Sequence, residues 1–177
     1  MIRSIFEHGS CIWSPSSSTV IDKFESIQKR AIKWVLGEQF YVYSNAYYMQ
    51  KLVDLDILPM AQKFIFTDMV MFYKIVNGLV PIVLPHYVSF RSNTRSSSNN
   101  GSTLGIDSDI VHNPIRNVFG RSFFPRCISV WNHLSPEIKD SENVNLFKRG
   151  IKSYLWNLAL GGYDTNSSEE SYTIEPD

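Results

Sequence analysis

The sequence predicts a small, mainly α-helical domain of four or five helices, broken by a long Ser/Asn-rich loop with room for one short β element. Three observations carry this reading. Apolar residues recur every three or four positions in separate stretches, the period of a helix with one buried face. Residues that start and stop helices bound those stretches. The chain has 177 residues, 44% of them hydrophobic, enough for one proper core and too few to expect two.

The first helix has Thr19 as its expected cap, with Asp22 three residues on to form a capping pair, and Gly37 as its stop. Its expected apolar stripe is Val20, Phe24, Ile27, Ala31, Trp34 and Val35, which leaves Lys23, Lys29, Arg30 and Lys33 on the outer surface. An aromatic segment, Phe40 to Tyr48, follows, with Ser44 placed to cap a small helix ending near Val53. Pro59 suits the first turn of a longer helix, whose apolar content predicts burial on more than one side and which Asn77-Gly78 ends. Pro81 and Pro85 make the next stretch extended or turning.

Arg91 to Thr103 is polar and without periodicity, and reads as a loop; Leu104 to Val111 reads as a short strand. A third helical region spans Phe119 to Leu134, started or kinked by Pro125 and broken by Ser135-Pro136. The last helix runs from Val144 to Leu158, with Ser141 and Asn143 as cap candidates and Leu146, Phe147, Ile151, Tyr154, Leu155 and Leu158 as its stripe. Lys148, Arg149 and Lys152 face away from that stripe. No internal repeat is present.

Charge is distributed unevenly. The chain has 17 basic and 17 acidic residues, yet none of the basic ones lies beyond Lys152. Residues 161–177 hold Asp164, Glu169, Glu170, Glu175 and Asp177 and read as an acidic, disordered tail, leaving a helical domain over 1–160 with a net charge of +5. Cys11 and Cys127, 116 positions apart, do not make a zinc motif, which needs clustered ligands. They read as two free buried thiols. No apolar run approaches the length of a membrane span or a signal core, so the sequence reads as an intracellular soluble protein without a membrane partner.

No motif for catalysis emerges. Two-metal phosphoryl chemistry needs convergent carboxylates, and the nearest approximations, Asp54-x-Asp56 and Asp107-x-Asp109, read as ordinary loop acids. His8, His86, His112 and His133 are scattered, with no metal-ligand or general-base spacing. The Ser-rich runs lack a nucleophile elbow, and Gly161-Gly162 follows a helix, where it cannot cradle a phosphate. No catalytic residue, metal ligand or cofactor is expected. The basic clusters are the remaining candidate: Lys23, Lys29, Arg30 and Lys33 in one group, and Arg116, Arg121, Arg126, Lys148, Arg149 and Lys152 in another. Phosphate contacts need only Lys and Arg presented along a surface, although such faces are also common as plain solvated helix surfaces. Of the four tryptophans, three sit on or beside apolar stripes and are expected in packing rather than base stacking.

Four blocks, in order, resemble the far C-terminal part of non-LTR (LINE-type) retrotransposon reverse transcriptases, jockey-like elements in particular. The first is Gly9-Ser10-Cys11-Ile12-Trp13-Ser14-Pro15 with the downstream Glu25-Ser26-Ile27-Gln28-Lys29-Arg30-Ala31. The second is Phe72-Tyr73-Lys74-Ile75-Val76-Asn77-Gly78, and the third runs from Arg121-Ser122-Phe123-Phe124-Pro125-Arg126 to Trp131-Asn132-His133-Leu134. The fourth is Leu146-Phe147-Lys148 to Tyr154-Leu155. Departures exist: Leu134-Ser135-Pro136 is one residue longer than the family's Leu-Pro, residues 161–177 match no part of it, and the catalytic acids of the palm have no counterpart.

The resemblance implies a non-catalytic C-terminal fragment of an RNA-directed DNA polymerase, a thumb-like or post-thumb extension. Its expected partners are RNA or an RNA–DNA hybrid held by phosphate contacts, the polymerase body, or a second copy of the chain. The alternative is a small protein-interaction module, or a decayed remnant, with no nucleic-acid role.

Overall fold

A computed structural model describes residues 9–15, 17–37, 44–91, 103–106 and 120–164. It is mainly helical, as the periodicity predicts. In chain order the elements are α1 (Ser10–Trp13), α2 (Ser18–Leu36), α3 (Asn45–Asp54), α4 (Met60–Val76), β1 (Val88–Arg91), β2 (Thr103–Ile106), α5 (Phe123–His133), α6 (Pro136–Lys139) and α7 (Val144–Asp164). Helices α1 and α6 are single turns, which leaves five longer helices among the described residues. None of the described helices is long and apolar enough to cross a membrane.

Helix α4 is the hub, packed against α1, α2, α5 and α7. Its buried residues include Phe64, Met69, Phe72, Tyr73 and Ile75, spread around the helix rather than along one line. The main core gathers Phe72 and Tyr73 with Cys127, Ile128 and Trp131 of α5 and Phe147, Ile151 and Leu155 of α7. Rings order it: Phe72 meets the edge of Trp131 at 5.4 Å, and Tyr73 stacks on Phe147 at 4.3 Å. These offset and edge contacts match the quadrupoles of the rings. A smaller cluster joins Ile32 of α2 with Tyr48, Met49 and Leu52 of α3 and Ala159 of α7.

Local chemistry fixes most helix ends. Ser44 accepts a hydrogen bond from Tyr47 N at 3.2 Å and starts α3. Asn143 Oδ1 accepts from Asn145 N and Leu146 N, both at 3.0 Å, and starts α7. Gly37 and Gly78 take left-handed backbone (φ 64° and 65°) just past α2 and α4, a conformation that side chains with a Cβ resist. Pro125 lies in the first turn of α5, where its missing N–H is harmless, and this helix begins at Phe123; Phe119, where the expected region starts, lies outside the described residues. Ser135-Pro136 ends α5 and also opens α6, a turn the sequence reading did not anticipate.

Three other expectations change. Ser17, not Thr19, precedes α2; the Thr19 hydroxyl sits inside the first turn, 3.0 Å from Ser17 Oγ. The predicted strand is present at its start, as β2, antiparallel to an unanticipated β1 with Val88 opposite Ile106; residues 107–111 lie outside those described, as does most of the Ser/Asn-rich stretch. Helix α7 continues past Leu158 to Asp164, and residues 165–177 of the predicted tail lie outside the described residues.

The largest difference concerns which face of α2 is buried. The stripe read from the sequence holds in part: Phe24 meets Phe64 edge to face at 5.6 Å and Ile27 and Ala31 are half-buried, but Val20, Trp34 and Val35 are exposed, Trp34 to 90%. The buried face lies roughly a quarter turn away and is marked by Gln28 and Ile32 with Glu25 beside them. Two polar residues face inward because partners await them. Tyr48 donates to Glu25 Oε1 at 2.5 Å, the backbone N–H of Met60 donates to Glu25 Oε2 at 2.7 Å, and Gln28 Nε2 donates to Tyr48 Oη and to Leu58 O.

Candidate nucleic-acid interface

Rotating α2 in this way sets its outer face. Lys23, Ile27, Arg30 and Trp34 recur at intervals of four, three and four residues and so form one strip. Lys23, Arg30 and Trp34 are exposed and Ile27 is half-buried. The two carboxylates of the helix lie elsewhere: Glu25, half-buried, is taken by Tyr48 and the Met60 amide, and Asp22 lies off the strip. Coulomb repulsion between Lys23 and Arg30 is therefore not relieved by a neighbouring acid on the strip itself.

The other sequence-predicted cations divide into exposed and engaged. Lys148 and Arg149 are exposed in the first turns of α7, and Arg121 is exposed just before α5. Lys29 is drawn into structure: its Nζ donates to Asn45 Oδ1 at 2.9 Å and lies 4.8 Å above the Tyr48 ring. Lys33 is half-buried in the last turn of α2, where a cation is favoured by the negative end of the helix dipole. Lys152 pairs with Asp56, a residue in left-handed backbone (φ 53°) after α3. The hydrogen bond from Lys152 holds the Asp56 carboxyl below the usual range.

Arg126 is the most committed. Its Nε donates to Asp68 Oδ2 at 2.8 Å, and its Nη1 donates to the carbonyl of Arg121 at 2.7 Å. Asp68 is buried on α4 at 3% exposure, so Arg126 serves as counter-charge to an interior carboxylate. Burial raises the Asp68 carboxyl, and Arg126 only partly offsets this. Cys11 and Cys127 share this neighbourhood as free thiols, Cys127 buried and Cys11 partly so. Burial and the nearby Asp68 charge push both thiols up, away from the thiolate a nucleophile requires.

The carboxylate pair Asp54-x-Asp56 does not converge, since Asp54 accepts from Gln50 at 2.9 Å while Asp56 meets Lys152. Asp107 and Asp109 lie outside the described residues, with His8, His112 and Arg116. His86 and His133 are exposed and apart from any acid cluster. Among the described residues, no group of three His, Cys, Asp or Glu side chains is placed to hold a metal ion.

Sequence reasoning missed Trp34. The signal was available in the polar residues of α2: Glu25 and Gln28 are spaced to share a face with Ile32, and placing them inward turns Trp34 outward. No family model, curated protein or solved structure matches the chain.

Proposed function

We propose that this chain is a non-catalytic accessory module, equivalent to the post-palm region of a non-LTR retrotransposon reverse transcriptase, that holds RNA or an RNA–DNA hybrid through phosphate contacts. The observation that carries the reading is the exposure of Lys23 and Arg30 on α2 and of Lys148 and Arg149 on α7, with no acid among the described residues paired to them. Such contacts need no base code and draw their free energy largely from counterion release. The four family-like blocks add support, each falling on or at the end of a helical element.

Binding of the full chain to a labelled RNA–DNA hybrid, titrated with salt, tests the proposal. Affinity is expected to fall steeply with salt, and the Lys148→Ala/Arg149→Ala double variant to flatten that dependence by about one unit of slope per lost contact. Affinity that ignores salt would overturn it. No primer extension is expected with Mg²⁺ or Mn²⁺, and detectable extension would refute the non-catalytic part.

A second reading, a protein-interaction module, is favoured by the exposure of Ile12 (91%) and Val83 (88%). It predicts a stable oligomer or protein partner together with no binding to the hybrid, which sedimentation and the same titration distinguish.

A further inference from the structure

We infer that Trp34 is a base-stacking platform, so that the strip on α2 takes single-stranded nucleic acid in preference to duplex. This rests on the nucleic-acid reading above and adds the form of the ligand. Trp34 is 90% exposed at the end of a strip that also presents Lys23 and Arg30. Water solvates an indole poorly, so so complete an exposure of the largest apolar side chain leaves a face open to a flat partner. From Lys23 to Trp34 the strip runs about 16 Å along the helix axis, room for a short stretch of extended backbone.

The neighbours of Trp34 choose the partner. An apolar protein surface seated on this strip would have to desolvate Arg30, one turn away on the same face, and Lys23 beyond it, with no acid of α2 to compensate. A nucleic-acid strand meets both demands, with phosphates for the cations and a base for the indole. Single-strand binders combine these two features, a basic track and an aromatic side chain that accepts any base. A duplex offers phosphates but keeps its bases stacked inside, so it engages Lys23 and Arg30 and leaves Trp34 idle.

The test uses the full chain with two labelled probes of equal length, an oligothymidylate and an RNA–DNA hybrid. Trp34→Ala is expected to weaken oligothymidylate binding about tenfold and leave hybrid binding unchanged. Trp34→Phe, which keeps a ring, is expected to retain most of the lost affinity. Arg30→Ala is expected to weaken both probes and lower both salt dependences. If Trp34→Ala leaves oligothymidylate binding intact while Arg30→Ala still weakens the hybrid, the stacking role is refuted and the phosphate reading stands. If neither probe binds the unaltered chain at low salt, both fail. Dissociation of a dimer by Trp34→Ala, without effect on either probe, would assign the strip to a second copy and overturn the inference. Circular dichroism of each variant confirms that the helices persist.

Discussion

Two halves of this molecule bury their helices by different means. Around α4, α5 and α7 the contacts are apolar and aromatic: Phe72, Phe147, Ile151 and Leu155 are fully buried, and Trp131 nearly so. Between α2, α3 and the start of α4 a smaller apolar cluster around Ile32, Met49 and Leu52 is joined by a polar seam, in which Tyr48 bonds both Glu25 and Gln28 and these reach the backbone of Met60 and Leu58. Apolar burial is non-directional and accepts any close-packed arrangement. Hydrogen bonds in a desolvated seam are directional and expensive to leave unmade, so they fix one rotation of α2 about its axis. That rotation, in turn, decides which residues α2 shows to solvent.

Truncating the apolar half should have the largest effect. Phe147→Ala removes a fully buried ring that stacks on Tyr73 and lies tilted beside Trp131 and is expected to cost about 3–5 kcal/mol, read from the denaturant midpoint at constant m-value. Breaking the seam comes next. Glu25→Ala leaves the Tyr48 hydroxyl and the Met60 amide without their acceptor and is expected to cost about 2 kcal/mol. A loss no greater than that of an exposed substitution would show that the seam does not orient α2.

A third experiment separates charge from burial where α4 meets α5. The Asp68 carboxyl is raised by burial, so the folded state binds its proton more tightly than the unfolded chain does. Its contribution to stability is then greatest at low pH and declines as pH rises from the ordinary value of 3.8 through the raised one. The melting temperature of Asp68→Asn, relative to the unaltered protein, is expected to improve with pH across that window. A relative decline would show that the ion pair with Arg126 outweighs desolvation. The smallest effect belongs to the outer strip of α2: Trp34→Ala is expected to change stability by less than about 0.5 kcal/mol, since the ring is almost fully exposed.

What the sequence made legible was local. Ser44, Pro59, Asn77-Gly78 and Gly37 mark helix ends through bonds and backbone angles within a few residues, and these ends fall where expected. The buried stripe of α7 was legible in its centre, Phe147, Ile151 and Leu155, though Leu146 and Leu158 are exposed. What stayed hidden depended on distant partners. Glu25 and Gln28 look like surface residues until Tyr48, Leu58 and Met60 are brought to them. Arg126 looks like one more surface cation until Asp68, 58 positions earlier, takes its guanidinium. Likewise β1 alternates apolar and polar over Val88-Ser89-Phe90-Arg91, but four residues are too short a run to stand out, and it exists through its pairing with β2. The identity of the basic residues was therefore readable, but not which of them the fold had already engaged.

The bond from the Met60 amide to Glu25 links two events in time as well as in space. Helix α4 starts after a proline and has no side-chain cap of its own from that residue, so the acceptor for its first amide arrives on a helix 35 positions earlier. That carboxylate also sits where the positive end of the α4 dipole favours an anion. Whenever α2 lifts away, this amide is handed to water while the amides deeper in α4 stay bonded within the helix. Hydrogen exchange at Met60 is therefore a built-in reporter of how often α2 undocks, readable without any probe attached to the chain.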